Sequence, residues 1–284
     1  MAYKKITGNF TSSADNINLF YCAFINKTFN PEKCIVIQHG FGEHSGRYFN
    51  VVEKFQNSGY SLFILDMRGH GLSEGLRGYS PNFNSLVEDL YSFIVFVKKT
   101  YKTKKPVLIS HSLGGLIGLS FGLVPDYANQ IKAIVSNGAS LSVHMTPLLY
   151  VKRIAGKLLT MLIPELRLDL GLDVKFISHD KNVVKAYIDD PLVHGFIKVK
   201  LAEEIINKGK WCIDHASEMK IPVLLTHGGS DGISNPEGTK MFYANCGSKD
   251  KTLIIYDDLY HEVYNETEKE KPLNDLEKWV EKHT

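Results

Sequence analysis

The 284-residue chain has little cysteine: four residues, at positions 22, 34, 212 and 246, with no CxxC pair. A disulfide framework or a thiolate zinc ribbon needs closely spaced pairs, so these four are expected to be buried free thiols in a reducing compartment. No charge of one sign dominates. There are 33 basic against 31 acidic residues, a formal net charge of +2, which lacks the basic footprint of a nucleic-acid binder. Long uncharged apolar runs are missing as well. The most apolar stretch, 147–163, is interrupted by Lys152, Arg153 and Lys157, so no membrane span is expected. The N-terminal MAYKKITGNF has no apolar leader core, and the expectation is a cytoplasmic protein. HExxH, HxH, Walker and dinucleotide-glycine spacings are missing too, so neither a metal nor a cofactor is expected.

What is present is an ordinary globular composition, 44% hydrophobic and 23% charged, in a chain long enough for one large core. Residues 17–24 alternate apolar and polar like a half-exposed strand. Segments 34–38, 60–65, 106–110 and 131–135 are compact apolar runs, the pattern of strands buried on both faces of a parallel sheet. Helical spacing fills 46–58 and 82–99, the second preceded by Ser80-Pro81 as a cap and first-turn proline. After residue 215 the alternation resumes with strands at 221–226 and 252–256 and a closing helix at 272–282. This predicts an α/β fold with a mostly parallel sheet. Residues 140–215 break the pattern, with helical runs at 147–163, 180–188 and 197–208 and no convincing strand. The expected organisation is a core in two parts, 1–139 and 216–284, around a helical insertion at 140–215.

The segment PVLISHSLGGLIGLSFG, 106–122, runs from an apolar strand through Ser110-His111-Ser112-Leu113-Gly114-Gly115 into a glycine-rich helix. Strand, tight turn with serine, helix is the context of a nucleophile elbow, in which the flanking positions must be small. Here Ser110 replaces the first glycine of G-x-S-x-G. The alternative is that Ser112 only caps the helix that follows. A second strand-to-helix turn, HGFGEHSGRY at 39–48, brings glycines beside Phe41. The backbone N–H groups of Phe41 and Leu113 are the expected oxyanion donors, one from each turn. The same turn also reads as an ordinary one with Ser45 as the cap. An acid and a base must follow in the order serine, carboxylate, histidine. Strand 221–226 leads into HGGSDG, giving Asp231, and strand 252–256 leads into DDLYHE, giving His261. Asp214, in the insertion beside Trp211, is the weaker acid; His39, His70 and His227 are the rival bases near strand ends.

With these residues in hand, the chain resembles the monoacylglycerol lipase and lysophospholipase family of α/β-hydrolases. The likeness is carried by HGFGEHSGRY (39–48), DMRGHGLSEG (66–75), SHSLGG (110–115), and the HGGSD and YHEV segments around Asp231 and His261. It implies an eight-stranded core sheet, a helical cap, hydrolysis of acyl esters, a Ser112–Asp231–His261 triad and oxyanion donors at Phe41 and Leu113. Two departures stand out: Ser110 in place of glycine, and Phe41 where the family commonly has a small residue. The DMRGHG turn reads as architectural, with Arg68 pinning neighbouring loops.

The 147–163 helix carries a wide apolar face that can pack on the core, line an acyl tunnel or touch a membrane surface weakly. The residues expected at the substrate are Phe41, His111, Leu148 and Leu158; on an elbow the ring of His111 turns away from the serine, in a structural capacity. The expected partner is a small acyl ester. A broad small-ester esterase, a peptidase releasing N-terminal residues and a non-catalytic ligand binder are the competing functions on such a core.

Overall fold

A computed structural model describes residues 3–142, 162–169, 171 and 173–284. Its strands are β1 (Tyr3–Thr11), β2 (Asn18–Asn26), β3 (Cys34–Gln38), β4 (Ser61–Leu65), β5 (Val107–His111), β6 (Ala133–Asn137), β7 (Arg167–Asp169), β8 (Phe196–Lys198), β9 (Val223–Gly228) and β10 (Lys251–Tyr256). Eight form one sheet in the order β1-β2-β4-β3-β5-β6-β9-β10. Within it only the β1–β2 and β2–β4 pairings are antiparallel; along β4-β3-β5-β6-β9-β10 neighbouring strands run parallel. The apolar runs read as strands all lie in this sheet, and every residue of β3, β4, β5, β6 and β9 is buried. That is why those segments lack alternation. Strand β1 was not legible. It is an edge strand with charged and polar residues outward, held by pairing to β2 from Tyr3–Asn26 to Thr11–Asn18.

The helices are α1 (Phe49–Phe55), α2 (Phe83–Tyr101), α3 (Leu113–Gly122), α4 (Pro125–Ala128), α5 (Lys181–Asp189), α6 (Val199–Asp214), α7 (Pro236–Asn245) and α8 (Glu270–Lys282). Val51, Phe55, Leu273, Leu276 and Trp279 from α1 and α8 cover one sheet face with Ile35, Ile37, Leu62 and Ile64. On the other face, α2, α3, α6 and α7 pack over Val36, Phe63, Leu108 and Leu225. The α2 cap differs from the expectation. Asn82 caps it, its side chain accepting the Ser85 N–H at 2.9 Å, while Ser80 Oγ donates to the Asn82 carbonyl. Likewise His44, not Ser45, caps the short 3-10 turn Ser45–Arg47; the Ser45 N–H donates instead to Asp66 Oδ1 at 2.7 Å.

Between β6 and β9 the chain leaves the sheet. The expectation of no strand there fails: β7 and β8 pair antiparallel, Leu168 opposite Ile197. Three-residue strands leave no readable alternation. Most of the apolar 147–163 run, with Leu148 and Leu158, lies outside the described residues. All four cysteines are buried and free.

Candidate active site

Ser112 sits between β5 and α3 with φ 54° and ψ −119°. Left-handed φ costs a non-glycine residue of order 1–3 kcal/mol and persists only where its surroundings enforce it. Here the Ser112 N–H donates to the Asn137 carbonyl, and its own carbonyl accepts from Leu116 and Ser140. Although Ser112 occupies the cap position of α3, its side chain makes no capping hydrogen bond. The capping reading therefore fails, and the strain matches a nucleophile elbow. The turn also explains its small residues. A Cβ on Gly114 would stand 2.3 Å from the His39 carbonyl oxygen and 2.4 Å from that of Gln38. Ser110 fits because its hydroxyl donates to the Val135 carbonyl at 2.9 Å and faces Gly118, whose missing side chain makes the room.

The 39–48 turn lies against this elbow: a Cβ on Gly40 would be 3.0 Å from Ser112 Cβ. Three side chains fix it. His39 accepts the Met67 N–H at Nε2, so its proton sits on Nδ1 and donates to the Gly40 carbonyl at 2.8 Å. That carbonyl and the Phe41 N–H belong to one planar peptide and point oppositely, so the bond also sets the direction of the N–H. Glu43 Oε1 accepts the Gly40 N–H at 2.6 Å and the Tyr48 hydroxyl at 2.8 Å. Arg47 bridges Glu43 at 3.3 Å and Glu262 at 2.8 Å, tying this turn to the residue after His261. The Leu113 N–H opens α3, where no carbonyl a turn earlier can accept it. The Phe41 ring packs edge-on to His70 and His194, at 5.4 and 5.2 Å between ring centres.

Asp231 and His261 come from the loops after β9 and β10, adjacent parallel strands, so their closeness follows from the sheet order. His261 Nδ1 donates to Asp231 Oδ2 at 2.6 Å. The other carboxylate oxygen accepts the Ile233 and Ser234 N–H groups at 2.7 and 2.9 Å. Burial works against ionising Asp231, but the imidazoles of His261 and His227 outweigh it and hold the carboxyl well below its usual range. For His261 burial opposes protonation, yet Asp231, Glu262 and Glu43 prevail and raise its pKa above the ordinary value. Ser112 Oγ lies 3.4 Å from Ser140 Oγ and, among the described residues, makes no hydrogen bond to His261.

The rivals have other duties. His70 is buried and donates to the Arg68 carbonyl; burial pushes its pKa well down. His227 is taken up below. Asp214 is paired with Lys210 on an exposed helix end. Arg68 does pin loops, bonding Asp89 at 2.6 Å and Asp15 at 2.8 Å. His111 packs at a tilt against His261, 4.6 Å between ring centres, and accepts from Asn137 Nδ2. Burial, then the charge of His261, pushes its pKa down to about 3. It borders a cavity of about 20 Å3 with Glu43, Arg47, Asn137 and Glu262, room for a water and not for an acyl chain. The roles of Glu43, Asn137 and His227 were missed by sequence reasoning. The only signal was their place inside the HGFGEHSGR, strand-end and HGGSD segments.

The segment between β6 and β9 touches both halves of the site. Gly42 has φ 73° and its carbonyl accepts the His194 N–H at 3.0 Å. His44 Nε2 meets Asp190 at 2.9 Å, and the Tyr187 ring lies over the Arg47 guanidinium. The His261 and Glu262 N–H groups donate to the Phe176 and Ile177 carbonyls.

Comparison with known proteins follows the same lines. The family model described as serine aminopeptidase, S33, matches residues 30–268. A monoacylglycerol lipase of Mycolicibacterium smegmatis is 32% identical over 257 residues, covering 89% of this chain and 90% of that protein. The Homo sapiens monoglyceride lipase is 27% identical over 275 residues, covering 96% and 89%. The crystal structure of a monoacylglycerol lipase from Paleococcus ferrophilus superposes with a TM-score of 0.81 at 29% identity, covering all of both chains.

Proposed function

We propose, from the premise that the chain belongs to the serine aminopeptidase S33 family of α/β-hydrolases, that Ser112 is the nucleophile of an ester hydrolase. The protein is a serine hydrolase of carboxylic esters of the monoacylglycerol type, like the relatives it matches. The observation that carries the assignment of its site is the strained, uncapped Ser112 beside a buried Asp231–His261 pair.

With its Nδ1 proton committed to Asp231, His261 keeps Nε2 to take the proton of Ser112 as Oγ attacks the ester carbonyl. Proton transfer requires the Ser112 side chain to turn from Ser140 toward that nitrogen. The oxyanion is held by the N–H groups of Phe41 and Leu113, each worth roughly 2.7–4 kcal/mol. His261 then protonates the departing alcohol, and water hydrolyses the acyl-enzyme by the same route reversed. Residues 140–215 act as the cap, with Phe41 toward the acyl chain and His111 behind the base; Leu148 and Leu158, the other residues expected at the substrate, lie outside the described residues. A peptidase needs a carboxylate free to receive the substrate's amine. Two buried carboxylates beside the base and the oxyanion turn, Glu262 and Glu43, are both engaged by Arg47, which favours the ester.

Among the described residues no helix is long and apolar enough to cross a membrane. Weak contact of the cap with a lipid surface is part of the same reading, and liposome flotation without binding removes it.

Covalent labelling by a fluorophosphonate, read by intact mass, tests the nucleophile. One adduct on the native protein and none on Ser112→Ala is expected, with monoacylglycerol turnover falling on the order of 10⁶-fold in the variant. Absence of an adduct on the folded native protein overturns the reading.

A further inference from the structure

His227, four residues before Asp231 at the end of β9, is fully buried and takes no part in the proton transfers described above. Its Nε2 stands 3.1 Å from Asp231 Oδ2 and 3.4 Å from the Ser234 carbonyl oxygen. Both neighbours are acceptors, so the ring proton belongs on Nε2. Nδ1, 2.7 Å from Thr239 Oγ1, then accepts from that hydroxyl. Thr239 is itself fully buried on α7 and fixes the tautomer. The carboxylate oxygen that accepts the His261 N–H thus also has the His227 Nε2 3.1 Å away, sharing that ring's N–H with the Ser234 carbonyl.

We infer that His227 is a positioning residue for the acid: its Nε2–H holds Asp231 Oδ2 in line with His261 and draws off part of that oxygen's negative charge. The inference rests on Asp231 and His261 being acid and base. Two consequences follow. The carboxylate cannot rotate about its Cβ–Cγ bond without breaking contacts at both oxygens, so the His261 ring keeps one orientation. Oδ2 is also a weaker acceptor than it would be without the His227 N–H beside it, so the imidazolium formed during turnover is stabilised less, and the base releases its proton more readily to the leaving group. The other charged or titratable groups facing His261 are Glu262 and Glu43, with His111 packed against its ring, and these stay in place whatever stands at 227.

The test compares two polar replacements. His227→Gln places an amide N–H where Nε2 stands; His227→Asn reaches only as far as Nδ1, keeping a partner for Thr239 while removing the contact of residue 227 with Asp231 Oδ2. Fluorophosphonate labelling rates across the neutral pH range report the free-enzyme titration of His261 without a substrate, and ester turnover reports kcat and KM. In the Asn variant the acid limb should move up by about one pH unit, the size of one charge-assisted hydrogen bond. Its plateau kcat should fall roughly ten- to a hundredfold with KM little changed. The Gln variant should restore both to within about twofold. Equal behaviour of the two variants, with the limb unmoved or both slowed in step with a lowered melting temperature, overturns the inference. Failure to label the native protein overturns the triad reading and this one with it. A labelled native protein with an unmoved limb in the Asn variant overturns this one alone.

Discussion

Helix α2 buries ten of its nineteen residues, whereas α5, in the segment between β6 and β9, buries none of its nine. The contrast separates two ways of shaping a site. Around the sheet, polar groups are held by backbone and by buried side chains that have nowhere else to go. Asp231 is bonded by two N–H groups, and the Gly40–Phe41 peptide is aimed by His39 and Glu43. The inserted segment instead reaches the site through a few contacts at its rim: His194 on Gly42, Asp190 on His44, Tyr187 over Arg47. On the proposed reading, chemistry belongs to the first region, and access and fit belong to the second.

Substitutions sharpen or break that division. Asp231→Asn preserves shape but presents the wrong group to His261 Nδ1, and a kcat loss on the order of 10⁴ is expected in steady-state ester hydrolysis. A loss under tenfold would show that the acid lies elsewhere. Gly114→Ala drives a Cβ into two backbone carbonyls of β3 and its turn, which cannot step aside as side chains do. Urea unfolding should show a loss of about 3 kcal/mol, the upper end for overpacking. The pH profile comes next. The reaction needs neutral His261, whose pKa is raised, so kcat/KM should fall about tenfold per unit below a midpoint above 6.5. His39, His70 and His111 are all shifted the other way by burial, so they titrate below this limb and do not steepen it. The smallest effect is expected at the rim. Asp190→Asn keeps the turn bond to Leu192 and removes the charge facing His44, costing about 0.5–1 kcal/mol in a thermal melt with kcat near native. If Asp190→Asn slowed turnover as much as Asp231→Asn, the division would be wrong.

Legibility in the sequence divides along the same line. Strands buried on both faces announce themselves by unbroken apolar runs, and the run read at 34–38 is β3 to the residue. Ser112, Asp231 and His261 were found because an elbow and strand-end loops have positional logic, and the structure brings them to one end of the sheet. Their roles remain for the proposed experiments to decide. What stayed hidden depends on partners far along the chain. Strand β1 exists through its pairing with β2, and β7 with β8, while the helical cap at Asn82 competed with an equally suitable Ser80 two residues earlier. His227 looked like a rival base because a sequence displays residue types and not the two acceptors that its Nε2 faces.

The hydroxyl of Ser110 also constrains the order in which this lineage can change. It occupies the space a methyl group at position 118 would need, 2.7 Å away, while the next side-chain neighbour there, Leu108, is at an ordinary 3.4 Å. Alanine at 118 would favour the helix by about 1 kcal/mol over glycine, but only once position 110 has become glycine. Taken in the other sequence, the first step is a collision behind the nucleophile. The two positions are therefore sterically coupled: the serine in the elbow keeps its neighbour a glycine, and a stiffer α3 is reached only with glycine placed at 110 first.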